Sequence, residues 1–135
     1  MKLVSAVLMT LMMVSVANAT PGDMGCEGKT ADGKVIDVLI GYDYFGQGPS
    51  LFEVTLGKDK VFSSTAVKEE LFNVGSEKSP FILSGISAIS IANQGIAQLK
   101  WPEQEPTQDG TLEGILTLSV AGQALLNNAE IKCYR

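Results

Sequence analysis

Hydrophobic and polar residues alternate along most of this chain with a period of two, the spacing that sends successive side chains to opposite faces of a β-strand. Glu27 to Thr30, the turn Ala31-Asp32-Gly33 and Lys34 to Tyr42 read as a hairpin, because Asp-Gly accepts the positive φ angles of a tight primed turn. Its second arm puts Ile36, Val38, Ile40 and Tyr42 on one face. Phe52, Val54 and Leu56 repeat the pattern, and Gly57-Lys58-Asp59 turns the chain toward Val61 and Phe62. Further on, Leu112, Leu116, Leu118 and Val120 share a face with Gly114, a glycine expected at a bulge or a close approach. In the last strand Ala129, Ile131 and Cys133 point one way and Glu130, Lys132 and Tyr134 the other.

Two stretches depart from this pattern. The run from Ser64 to Phe72 is either an irregular edge or two helical turns capped by Ser64 or Thr65, and the capping residues tilt the reading toward a short helix. From Ser79 to Leu99 there is no charged residue, yet Pro80, Gly85, Asn93, Gln94, Gly95 and the serines exclude a membrane helix. Two short strands fit that segment. Their uncharged surface belongs either to central strands covered on both faces or to an assembly interface, since charges are what discourage pairing between sheets. Seven to eight short strands separated by turn signals predict an all-β domain, a small antiparallel β-sandwich or β-barrel, with that one short helix allowed.

Residues 1–19 read as a secretion signal: Met1-Lys2, an apolar run from Leu3 to Val16, then Ala17-Asn18-Ala19 as a small-x-small cleavage site. The mature chain, residues 20–135, is then a single domain without a permanent membrane anchor, since the apolar run is shorter than the roughly 20 residues a span needs. Export makes the chain's two cysteines a pair to be bridged, and a Cys26–Cys133 disulfide would tie the first strand to the last. Periplasmic or extracellular residence in a bacterial context is expected. Ten basic and 15 acidic residues leave a net charge of −5, and loss of Lys2 with the leader makes the mature chain more negative still. Nucleic acid is a poor partner for such a surface, because affinity for it comes largely from Lys and Arg neutralising phosphates. The leading reading of this charge is that it keeps an exported protein soluble; among partners, a cationic one is weakly favoured.

The chain has no histidine. Ser-His-Asp and Cys-His nucleophilic sites, histidine acid–base catalysis and His-containing zinc sites therefore drop out. Bridged cysteines remove the thiolate as well, and no phosphate-binding or calcium-binding loop signature is present. The expectation is a protein that binds and does not catalyse, without a cofactor or metal.

Two loops hold the candidate contact residues. Gly41 to Ser50 packs Tyr42, Tyr44 and Phe45 among glycines; rigid aromatics on such a loop suit a binding surface, or else fold back to plug a barrel end. Trp101 to Gly110 carries the one tryptophan beside Glu103, Glu105 and Asp109, stiffened by Pro102 and Pro106. This second loop either meets a cationic partner or is a solvated connection with Trp101 half-buried at a strand end. At the level of class, the penultimate aromatic Tyr134 on an alternating last strand is similar to subunits of chaperone-assembled bacterial fimbriae. The chain departs from them in having no alternating donor segment before Cys26. A small, acidic, disulfide-tied exported barrel is also similar to bacterial inhibitors of lysozyme, whose motifs are not found here. The function expected is a binding module, in its sharper form an inhibitor of a basic enzyme; the alternative is a structural or assembly subunit using the uncharged region.

Overall fold

A computed structural model of the chain describes residues 23–43, 48–73, 75, 82–102, 104 and 108–134; residues 1–19, read as a secretion signal, lie outside them. The described chain is all-β: β1 Met24–Lys29, β2 Val35–Tyr42, β3 Pro49–Leu56, β4 Asp59–Ser64, β5 Val67–Asn73, β6 Ile82–Ser90, β7 Gly95–Trp101, β8 Leu112–Val120 and β9 Gln123–Tyr134. They form one antiparallel sheet in the order β4-β3-β2-β1-β9-β8-β7-β6-β5, so the first and last strands meet in its middle. Following the antiparallel pairings outward from β1 shows that β4 and β5 run in the same direction. They are the two halves of one bent strand. Its first half pairs with β3 and its second with β6, which curls the sheet into a nearly closed barrel.

The bend corrects the helix expected over Ser64–Phe72. Ser64 does accept the Ala66 N–H (3.0 Å), the local bond that makes serine a helix cap, but its hydroxyl donates onward to the Ile89 carbonyl of β6 (2.6 Å). The capping signal is therefore spent on a corner. Beyond it Val67, Glu69 and Leu71 alternate with Lys68, Glu70 and Phe72, and all pair with β6. Counting the bent strand as one stave also reconciles nine strands with the expected seven to eight.

The first hairpin differs in its turn. Gly33 alone takes a left-handed φ (+88°), and its N–H donates to the Thr30 carbonyl (3.0 Å) while Thr30 and Lys34 close the loop (2.9 Å). This five-residue connection is a β-turn followed by a left-handed glycine, not a two-residue primed turn. The primed pattern occurs instead at Ala121-Gly122, where both residues have positive φ (53° and 78°).

Inward residues of every stave meet in one core containing Ile36, Ile40, Phe52, Ile86, Leu99 and Leu116, all fully buried. Each such side chain contributes about 1.5–3 kcal/mol through removal from water. Cys26 and Cys133 sit directly opposite one another on β1 and β9, Cα atoms 4.0 Å apart, and their disulfide lies within this core. A disulfide fits a non-reducing compartment. Among the described residues no helix is long and apolar enough to cross a membrane.

Connections at the two barrel ends are unlike. At one end they are short: residues 30–34, 57–58, 91–94 and 121–122. Phe62 seals that end from inside, packed edge-on to Phe52 (5.9 Å between centroids, 89°) and against Gly95, where a Cβ would approach its ring to 2.9 Å. At the other end lie the start of β1, the end of β9 and the strand ends joined by the three longer connections, residues 43–48, 74–81 and 102–111.

Candidate functional site

The longer-looped end holds an open cleft of about 630 Å³, within the ordinary range for ligand sites. Met24, Leu112 and Cys133 line it from β1, β8 and β9, so the disulfide lies beside it. Tyr42 closes β2 and Trp101 closes β7, and both line the cleft. The two sequence segments singled out for aromatic residues thus spring from strand ends on one rim. Tyr44, Phe45, Glu103 and Glu105 lie outside the described residues.

Each described candidate has a local cause for its position. At Tyr42 the β2–β3 register shifts, and its N–H donates to the Asp23 carboxylate (3.4 Å), tying the end of β2 to the residue before β1. Asp43 N–H donates to the Gly48 carbonyl (3.2 Å) and closes the base of the aromatic loop. After Trp101, the Gln104 side-chain amide receives the Glu113 N–H (2.8 Å) and donates to the Glu113 carbonyl (2.7 Å), imitating one more rung of the β7–β8 ladder. Asp109 is exposed and accepts the Thr111 hydroxyl (3.0 Å), an Asx-type closure of its own turn. Among the seven residues nominated from sequence, the described cleft lining contains Tyr42 and Trp101.

Trp101 is half-buried at the end of β7, and its Nε1–H is buried without a hydrogen-bond partner among the described residues. The indole fills the space above Gly114; a Cβ there would lie 3.2 Å from Nε1 and 2.9 Å from Leu99 Cδ1. Gly114 is thus the close approach foreseen for it.

No family model, curated protein or solved structure matches the chain.

Residues of β5 that sequence reading had placed in a helix complete the cleft. Leu71 is opposite Ser84 and Glu69 opposite Ile86, a core residue, so both face the interior side of the sheet. Leu71 is nonetheless 74% exposed. An inward-facing leucine left open marks where the barrel gapes, beside the seam between β5 and β3. Glu69 faces the same opening and makes no ion pair or hydrogen bond among the described residues. Its neighbour Glu70 differs: Lys68 Nζ lies 2.5 Å from Oε1 and holds that carboxyl below its ordinary range. Val67-Lys68-Glu69-Glu70-Leu71-Phe72 runs polar residues together and then apolar ones, so no apolar–polar alternation marks this wall in the sequence. No group of three or more Cys, Asp or Glu is placed to hold a metal among the described residues.

Proposed function

We propose that this is an exported, non-enzymatic binding protein whose partner enters the cleft at the long-looped end of the barrel with an apolar group and an adjacent positive charge. The observation that carries the reading is Leu71, an inward-facing leucine 74% exposed in a cleft it shares with Trp101, Tyr42 and the carboxylate of Glu69. Apolar walls with a few placed polar groups are what ligand sites use for affinity and orientation respectively. Export is supported by the leader sequence and by the bridged cysteines, and the chain's net charge of −5 favours a cationic partner, of which a basic enzyme is one. Absence of histidine and oxidation of both cysteines support binding over catalysis.

The test compares capture by the wild-type protein and by Leu71→Lys, a substitution at a site so exposed that stability should change by less than about 0.5 kcal/mol. A partner purified from the native compartment should lose at least tenfold in affinity for the variant. Equal capture by both proteins contradicts the reading.

A second reading rests on Ile89 and Ile96, which face each other across β6 and β7 on the outer surface and are 51% and 50% exposed, next to Ile91 at 89%. This is the uncharged segment, and it supports an assembly subunit in which copies pack face to face. Sedimentation over a wide concentration range separates the two: assembly requires oligomers that Ile96→Lys abolishes, whereas the binding reading requires a monomer.

A further inference from the structure

We infer that the occupant of the cleft is an extended polypeptide segment that adds as a strand to the free edge of β5, placing a basic side chain against Glu69 and an apolar one against Leu71. This deepens the cleft reading and rests on it. Its independent support is the backbone. Among the described residues β5 pairs with β6 on one edge and with no strand on the other, and β3 comes near it across the seam without forming a ladder. The Ala66 carbonyl receives the Ile89 N–H (3.1 Å), which makes Ala66 and Ile89 a hydrogen-bonded pair. With no register shift along β5, the alternation of an antiparallel ladder then turns Lys68, Glu70 and Phe72 toward β6. The N–H and C=O groups of Val67, Glu69 and Leu71 are left on the open edge, and none of them has a hydrogen-bond partner among the described residues.

The same residues that offer free backbone groups also send their side chains into the cleft. Strand addition uses this combination: main-chain bonds supply affinity and alternate side chains supply selection. Glu69 and Leu71 are two residues apart, so an added strand would read them with two side chains at the same spacing. The charge at Glu69 calls for lysine or arginine, and Leu71 with Trp101 for an apolar residue. Edge strands are ordinarily blunted by inward charges, proline or a cover. Glu69 is such an inward charge, so the edge admits a strand that brings a cation to meet it and disfavours one that does not, while Lys68 and Glu70, joined in an ion pair, are on the opposite face.

The probe is a blocked nine-residue threonine peptide carrying one lysine and, two residues away, one leucine. In the free protein the amides of Glu69 and Leu71 should exchange with solvent much faster than those of Lys68 and Glu70. Saturating peptide should slow Glu69 and Leu71 at least tenfold and shift Trp101 emission. A version N-methylated at the alternate positions that meet the edge, or one with glutamate in place of lysine, should bind at least tenfold more weakly, as should the Glu69→Lys protein. Slow exchange of Glu69 and Leu71 in the free protein, or no binding up to millimolar peptide, overturns the proposal. Equal binding of the N-methylated peptide with Trp101 still responding overturns strand addition and leaves the cleft reading standing. Binding that leaves Trp101 emission unchanged and is indifferent to Leu71→Lys overturns both.

Discussion

The indole of Trp101 lies over Gly114 on the neighbouring strand, so close that a Cβ at position 114 would come within 3.2 Å of Nε1. Glycine at this point lets an aromatic residue line the cleft while its polar edge is buried without a partner among the described residues. Gly114→Ala should therefore displace the indole and overfill the space beside Leu99, at a cost of about 1–3 kcal/mol. Denaturant titration of the variant, read beside its tryptophan emission spectrum, checks both effects. Gly85→Ala should cost more, because its Cβ would lie 2.2 Å from the Leu99 carbonyl oxygen, which is backbone and cannot swing aside.

The Cys26–Cys133 bridge joins β1 to β9 across a sequence separation of 107 residues. Native protein should yield no free thiol and weigh two protons less than its reduced form. Reduction, or replacement of both cysteines by serine, should lower unfolding free energy by about 2–5 kcal/mol. Denaturation midpoints with and without reductant measure it; coincident curves would contradict a stabilising bridge.

Ala121 holds a left-handed backbone (φ 53°) at the first position of its two-residue turn, where asparagine is at ease and alanine is strained. Ala121→Asn should raise stability by about 0.5–1 kcal/mol without touching the cleft. Thermal unfolding would show a higher midpoint; a lower one would mean that the alanine makes contacts the turn needs.

Much of this barrel was legible from alternation alone. The inward faces of β2, β3, β8 and the end of β9 follow directly from Ile36-Val38-Ile40, Phe52-Val54, Leu116-Leu118 and Ile131-Cys133, because a half-buried strand leaves no other pattern. The cysteine pairing followed from the expectation of export and from their places near the two ends of the alternating segment. What misled was Ser64. Its hydroxyl accepts an N–H two residues on in helix caps and in tight corners alike, so a local signal could not distinguish a helix from the bend that closes the barrel. For the same reason Glu69 and Leu71 escaped notice as site residues. That Tyr42 and Trp101 share a rim depends on sheet order, which no single segment encodes.

Tyr134 stacks its ring beside Gly25 and donates its hydroxyl to Glu27 (3.1 Å). Burial, and then the hydrogen bond and negative charge of Glu27, raise its pKa above the ordinary tyrosine value. A phenol whose folded pKa is raised stabilises the fold below the unfolded tyrosine pKa, and this contribution disappears as pH rises through the folded one. Absorbance titration should therefore reveal a phenol ionising late, missing in Tyr134→Phe and moved to lower pH in Glu27→Gln. An unchanged late phase in Tyr134→Phe would assign it elsewhere.

Emission from Trp101, the one tryptophan of the chain, tests the central claim most directly because the reporter lines the proposed site. With a captured partner that is itself transparent or labelled apart, the emission of Trp101 should change saturably, with a midpoint equal to the affinity measured by an independent method. The midpoint should move at least tenfold in Leu71→Lys. Tight association with Trp101 emission unaltered, and with an affinity the same for wild type and Leu71→Lys, would contradict a binding function for the cleft.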